Sequence, residues 1–557
     1  MFSWSSAHSR DCAWKQESRK DRVDALSPVY GVPHTDLESK IHGLSLSHLV
    51  DGYAEGHFSG YDIIRAYGKR ALAAHNATNC LTDLIFDDAL TGWDPDTKQP
   101  LLGVPISIKD CINVQGCDTT VGYSRNVRHP AARDAAIVRL LRDAGALVYA
   151  KTTNPTGLFG CETFSDLFGY TSNPYNAAYA AGGSTGGGAA LLAYRGSKIE
   201  IGTDIGGSLR APAHWCGVYG MKASVGRFPG EGCVSCSPGL EGIQIITSPM
   251  AHDLADLEEF WKRMMQMQPW KYDQSVIPMP WRDVDFAGKK LKFGVIWDDG
   301  VIPPSPACTR ALKWVAEALR AEGHNVVDFD PSPTIVEGLK LGYPIAFSDA
   351  GAQVIDPLRR GEGIEPAVRA TYNVFHLPKF VKNFLSWITR RFVGDSLGAD
   401  LIDVLHPPTP LEERALILKR DDYRQRWHER WNAEEFDFLL TAPHPMPAIP
   451  RHTTAKVTMS SSSSTFVWNV IDYTTAVMPI TFVDKALDAL PADFSLEGRT
   501  GVAKDAYTLY DAEKMHGLPV GIQIVGRRLE EERVLKGMGV IKDAMAAADR
   551  AFVGKEF

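Results

Sequence analysis

Apolar residues recur at helical spacing over residues 47–75: Leu49 and Tyr53, then, after Gly56, Ile63, Ile64, Ala66, Tyr67 and Leu72. That spacing lines one face of a 3.6-residue repeat and predicts an N-terminal helical layer. Ahead of it, residues 1–40 show no such stripe. Pro28, Gly31 and Pro33 interrupt any regular run, so an irregular polar lead-in is expected there. Residues 101–114 then read as strand, turn, strand. A helix follows from Asp134 through Ile137, Val138 and Leu141 to Gly145, and residues 146–150 read as a strand.

The alternation continues after Met250. A helix is expected over 253–267, a strand over 291–297, a helix over 308–322 and a strand over 325–329. Residues 333–435 are chiefly helical in pattern and carry Phe375, Phe380, Phe384 and Trp387. A strand over 436–441, a serine-rich loop at 460–464 leading into a helix, a strand over 521–526 and a helix over 529–547 complete the chain. Mixed strands and helices of this kind predict an α/β fold, a single large mixed β-sheet with helices on both faces. Four segments are expected: a lead-in and helical layer (1–90), a core (91–255), an α/β and helical region (256–435), and a return to the core sheet (436–557).

Composition narrows the function. With 557 residues, 44% hydrophobic and 23% charged, the chain can bury a sizeable core in one large domain or two. Its net charge of −8, without a long basic run, lacks the electrostatic footprint of a nucleic-acid binder. No run of 18 apolar residues predicts a membrane span, and residues 1–22 lack the apolar stretch of a secretory signal, so no membrane anchor is expected. Nine scattered cysteines suit a cytoplasmic protein better than a disulfide framework.

Candidate chemistry concentrates between residues 182 and 210. Gly182-Gly183-Ser184-Thr185-Gly186-Gly187-Gly188 opens the stretch and Gly202-Thr203-Asp204-Ile205-Gly206-Gly207-Ser208-Leu209-Arg210 closes it. A short apolar helix (189–193) and a strand-like run (198–201) separate the two. Glycine permits close backbone approach and positive φ, so a Gly-Gly-Ser turn after a strand can aim several N–H groups at one anionic oxygen. Lys109 stands in Gly103-Val104-Pro105-Ile106-Ser107-Ile108-Lys109-Asp110, where apolar neighbours favour a desolvated, neutral amine. Singly, Ser184 reads as a helix N-cap and Lys109 as a snorkelling lysine. Together with Ser208 they point to a site.

These segments, in this order and spacing, resemble the amidase signature family. Lys151-Thr152-Thr153-Asn154-Pro155, Asn173-Pro174-Tyr175, Ser248-Pro249-Met250-Ala251 and the run from His516 to Gly526 extend the likeness over most of the chain. Within the family, Gln268-Pro269-Trp270-Lys271-Tyr272-Asp273 and the run from Val276 to Arg282 are most similar to fungal acetamidase-type enzymes. The resemblance implies a serine amidase that splits a carboxylic amide through an acyl-enzyme. Ser208 would be the nucleophile, Ser184 (in a cis peptide) the proton bridge and Lys109 the neutral base, with backbone N–H groups of Ile205, Gly206, Gly207 and Ser208 as the oxyanion hole. Asp204 and Arg210 are expected to pair and support the loop. The resemblance places Leu158 beside the acyl part of the substrate, and makes residues 333–435 the variable part that shapes the pocket. Thr185 stands where relatives commonly carry Ser or Ala. No metal and no cofactor are expected; the partner is a small-molecule amide, and a homodimer is allowed.

Other readings use fewer of these residues. Transfer of the acyl group to an amine would share the same acyl-enzyme and is the alternative activity. Gly182–Gly186 also fits the G-x-S-x-G elbow of α/β-hydrolases, which requires a strand just before it; residues 176–181 do not read as one. His214, His252 and His516 could each suggest a Ser-His triad but read more simply as packed or surface residues. Cys233-Val234-Ser235-Cys236 lacks the second pair that zinc would need. A silent scaffold is disfavoured by the complete set of three, and a glutamine-fed transamidation subunit by the acidic charge and the N-terminal layer.

Overall fold

A computed structural model describes residues 6–557 apart from 94, 97 and 458. Its strands are β1 (Leu81–Leu84), β2 (Pro105–Lys109), β3 (Leu147–Thr152), β4 (Phe164–Ser165), β5 (Gly169–Tyr170), β6 (Ile199–Asp204), β7 (Tyr219–Lys222), β8 (Ile246–Ala251), β9 (Lys292–Val295), β10 (Asn325–Asp328), β11 (Phe438–Thr441), β12 (Thr475–Phe482) and β13 (Pro519–Val525). Eleven of them form one sheet in the order β1-β3-β2-β6-β8-β7-β12-β13-β11-β9-β10; β4 and β5 pair separately.

The sheet is mixed in a particular way. β3, β2 and β6 run parallel at one end, and β11, β9 and β10 at the other. Antiparallel β8, β7, β12 and β13 join the two ends. Every residue of β2, β3, β6, β7, β8, β11 and β13 is buried, which requires cover on both faces. Helices supply it: Gly186–Ala193 packs on β6, β2 and β8, and Leu254–Gln266 on β8 and β6. The expected α/β architecture is therefore present, and one sheet draws strands from all four segments.

The N-terminal layer contains the expected helices Leu46–Ala54 and Gly60–Thr78. The irregular lead-in is corrected. Residues Ala7–Tyr30 form one 24-residue helix, N-capped by Ser6, with Pro28 tolerated in its last turn and Gly31 as its C-cap. Its inner stripe is His8, Asp11, Cys12 and Lys15, followed by Leu26 and Tyr30. The spacing is helical, but the first positions are polar, so hydrophobic periodicity does not reveal it. Charge holds them down: Asp11 pairs with Arg128 and Arg359, and Lys15 Nζ lies 2.9 Å from Asp83 Oδ1 and 3.3 Å from Asp118 Oδ2.

Two other features differ from the pattern along the chain. Residues 101–114 yield one strand, β2, rather than two. β8 and β12 contain Pro249 and Pro479, residues that argue against interior strands; in β12 the register shifts between Pro479 and Thr481.

The Lys15→Met substitution leaves Asp83 and Asp118 without their shared cation, which should cost about 3–5 kcal/mol. Denaturant unfolding measures the loss. Limited proteolysis should show faster cleavage within residues 7–30.

Candidate active site

β2 ends on Lys109 and its parallel neighbour β6 ends on Asp204, with Ile106 opposite Ile199 and Ile108 opposite Ile201. Both strands therefore deliver their last residues to the same edge of the sheet, where ligands bind in open α/β sheets. Lys109 is fully buried. Its Nζ donates to Ser184 Oγ at 2.8 Å and to Thr203 Oγ1 at 3.0 Å. Burial holds the amine below the ordinary lysine value, against the opposing pull of Cys111, Asp204 and Glu200.

Ser184 sits at the end of a glycine turn whose Gly183–Ser184 peptide is cis. The helix that follows, Gly186–Ala193, is docked flush against its neighbours. A Cβ on Gly187 would lie 2.4 Å from the backbone nitrogen of Thr153 and 2.6 Å from the carbonyl oxygen of Cys80. Here glycine serves close packing rather than an anion. Residues 176–181, ahead of the turn, contain no strand, so the hydrolase-elbow geometry is not met.

Ser208 lies on the loop between β6 and the helix Arg210–Cys216. Asp204 and Arg210 hold that loop. Asp204 accepts from the N–H groups of Gly207 (2.9 Å) and Leu209 (3.0 Å), from Asn469 Nδ2 (3.0 Å) and from Arg210 Nε (3.1 Å) and Nη2 (2.8 Å). Burial alone would raise its pKa; the Arg210 charge and these donors bring it well below the usual carboxylate range. Arg210 also donates to the Thr465 carbonyl, Gln523 Oε1 and Asn469 Oδ1 at 2.6–3.0 Å. The two side chains are wholly buried, and the pairing expected from sequence is present.

The loop opens on a cavity of about 60 Å³ whose wall includes Leu158, Cys161, Gly183, Ile205, Gly206, Gly207, Ser208, Tyr343, Phe347 and Phe466. Tyr343 and Phe347 are shared with a second cavity of about 390 Å³, lined by Val374, Leu397, Leu401 and Leu405. The structure thus brings Ser208, Leu158, Ile205, Gly206 and Gly207 to one wall. Lys109 and Ser184 are joined beside it, and Asp204 and Arg210 stand behind. Ser184 and Ser208 share no hydroxyl–hydroxyl bond among the described residues; the Thr185 N–H donates to the Ser208 carbonyl at 3.1 Å. The Gly207 N–H donates to Asp204, whereas those of Ile205, Gly206 and Ser208 have no such partner among the described residues.

Several neighbours escaped the sequence reading. Thr465, Asn469 and Gln523 give no local signal. Glu200, a fully buried carboxyl between Ile199 and Ile201, does give one, because a charge in the middle of an apolar strand needs a reason. The histidines stay apart from the serines: His214 accepts from the Gly521 N–H at 2.8 Å and is kept neutral by burial, at about 3.

A family model described as Amidase matches residues 62–535 of this chain. The chain belongs to the amidase signature family. It is 35% identical over 515 residues to an acetamidase of Aspergillus oryzae, covering 89% of both chains. It is 32% identical over 524 residues to an acetamidase of Emericella nidulans, covering 90% of this chain and 89% of that one. A solved structure of a fatty acid amide hydrolase superposes with a TM-score of 0.79 at 27% identity, covering 94% of this chain and 88% of that one. As a member of the amidase signature family, the chain is a hydrolase acting on amides.

The Arg210→Met substitution strands a buried carboxylate at Asp204 and should cost about 3–5 kcal/mol in denaturant unfolding, partly recovered by adding Asp204→Asn. Gly187→Ala overpacks the helix onto backbone atoms and should cost about 1–3 kcal/mol.

Proposed function

We propose that this amidase hydrolyses a carboxylic amide bearing an apolar acyl group through a covalent acyl-enzyme on Ser208. The observation that carries this reading is the buried 2.8 Å contact of Lys109 with Ser184 beside the half-buried Ser208 at an apolar cavity. Neutral Lys109 takes the proton of Ser184, which takes the proton of Ser208 as its Oγ attacks the amide carbonyl. Hydrogen bonds of such relays commonly tighten as substrate seats, and we assign the Ser208–Ser184 link to that step.

The tetrahedral oxyanion would be met by the N–H groups of Ile205, Gly206 and Ser208. The proton stored on Lys109 returns through Ser184 to the amide nitrogen, which leaves as ammonia or amine. Water then repeats the sequence on the ester and releases the acid. An acyl group would lie beside Leu158 and extend past Tyr343 and Phe347 into the larger cavity, whose lining supports apolar chains over acetamide itself. The nine free cysteines suit a reducing compartment, and we assign the protein to the cytoplasm.

A fluorophosphonate should label Ser208, and Ser208→Ala should abolish labelling and lower kcat roughly 10⁴–10⁶-fold. Labelling at another residue sinks the assignment. Along a series of linear amides, kcat/KM should rise about fourfold per methylene until the larger cavity is filled. A flat series argues against the apolar acyl subsite.

A further inference from the structure

Glu200 has no part in the mechanism as described, yet it is buried within the strand that carries Thr203 and Asp204. Its Oε1 accepts from Thr152 Oγ1 at 2.6 Å, and its Oε2 accepts a short bond from Ser107 Oγ. In register, Glu200 lies opposite Ser107, and Thr152 opposite Lys109. Ser107 and Lys109, two residues apart on β2, point to the same side of the sheet, so the carboxyl and the amine share one face of β3, β2 and β6. The helix that follows Ser184 roofs this face. A Cβ on Gly188 would lie 2.4 Å from Glu200 Cδ and Oε1, so the carboxyl is sealed against the helix backbone without intervening solvent.

The hydrogen bonds that reach Glu200 come from neutral hydroxyls; the cation acting on it is Lys109. Burial pushes the carboxyl up to about 7, with Ser107, Thr152 and Lys109 pulling it back. The other titratable groups that sense this carboxylate are Cys80 and Tyr149; those around Lys109 are Cys111, Asp204 and Cys236. Burial holds Cys80, Tyr149, Cys111 and Cys236 above their ordinary values, and the charge of Asp204 is matched by Arg210. Glu200 is thus the unmatched carboxyl on the lysine's face.

We propose that Glu200 is a positioning residue whose carboxylate tunes Lys109 as the base of the relay, stabilising the ammonium that forms when Ser208 attacks. The inference rests on the Ser208–Ser184–Lys109 reading. The proton passes from Ser208 to Ser184 to Lys109 Nζ and back; Glu200 does not exchange it. Its charge acts through a site closed to water, where a neighbouring anion favours the charged amine. Without that charge, Lys109 is a weaker base that stays neutral to lower pH.

The test is the pH profile of kcat/KM on an aliphatic anilide for the wild type, Glu200→Gln, Ser107→Ala and Lys109→Ala. In the wild type the acid limb marks loss of neutral Lys109. In Glu200→Gln that limb should move to lower pH by about one unit, with a lower plateau. Ser107→Ala removes a donor that favours the Glu200 carboxylate, so it should move the limb in the same direction by less; it decides the matter if Glu200→Gln does not fold. A limb that stays in place, or moves to higher pH, overturns the role of Glu200. If instead Lys109→Ala keeps both limb and rate, the relay itself is wrong, an outcome distinguishable from failure of the Glu200 inference alone.

Discussion

The site depends on one fully buried ion pair. Asp204 and Arg210 neutralise each other in the interior and, in doing so, tie the loop carrying Ser208 to the end of β6 and to the helix Ser463–Val470 and β13. A pair of this kind gains little over a well-packed apolar substitute, because desolvation offsets most of the attraction. Its value is geometric: five directed donors on one guanidinium leave the loop a single arrangement. Gly207 is drawn into that arrangement through its bond to Asp204, and its φ of 131° brings it so close to Thr465 that a Cβ would lie 2.5 Å from the hydroxyl.

The lysine is governed by the opposite condition. Lys109 has hydroxyl neighbours, Ser184 and Thr203, and no carboxylate in direct contact among the described residues, so burial lowers its affinity for a proton without an ion pair to restore it. The ends of neighbouring strands therefore hold a permanently charged pair that shapes the loop and an amine whose affinity for a proton burial lowers. The two environments stand at the ends of neighbouring strands, β2 and β6.

Much of this was legible in the chain. Ser184, Ser208 and Lys109 stand in apolar or glycine-rich text that marks them out, and regular strand–helix alternation announces the mixed sheet. The first helix was not legible, because its buried stripe is built from His8, Asp11, Cys12 and Lys15, and the partners of His8, Asp11 and Lys15 lie far along the chain. β12 was hidden by Pro479. The partners of Arg210 were out of reach for a different reason: they lie 255 to 313 residues downstream, and no local pattern links an arginine to such distant acceptors. The glycines of 186–188 stand out in the chain, but the demand for them comes from Thr163, Thr153 and Glu200 on other strands and loops, which no local pattern reveals.

That long reach bears on synthesis. The three residues assigned to the chemistry are all in place by position 208, but the groups that steady their loop emerge only with residues 465–523, as do β12 and β13, which join the two halves of the sheet. A ribosome-bound chain would carry Ser208 long before it could aim it, with the edge of β7 open until β12 arrives. Competence of the proposed site is thereby coupled to synthesis of the chain through Gln523.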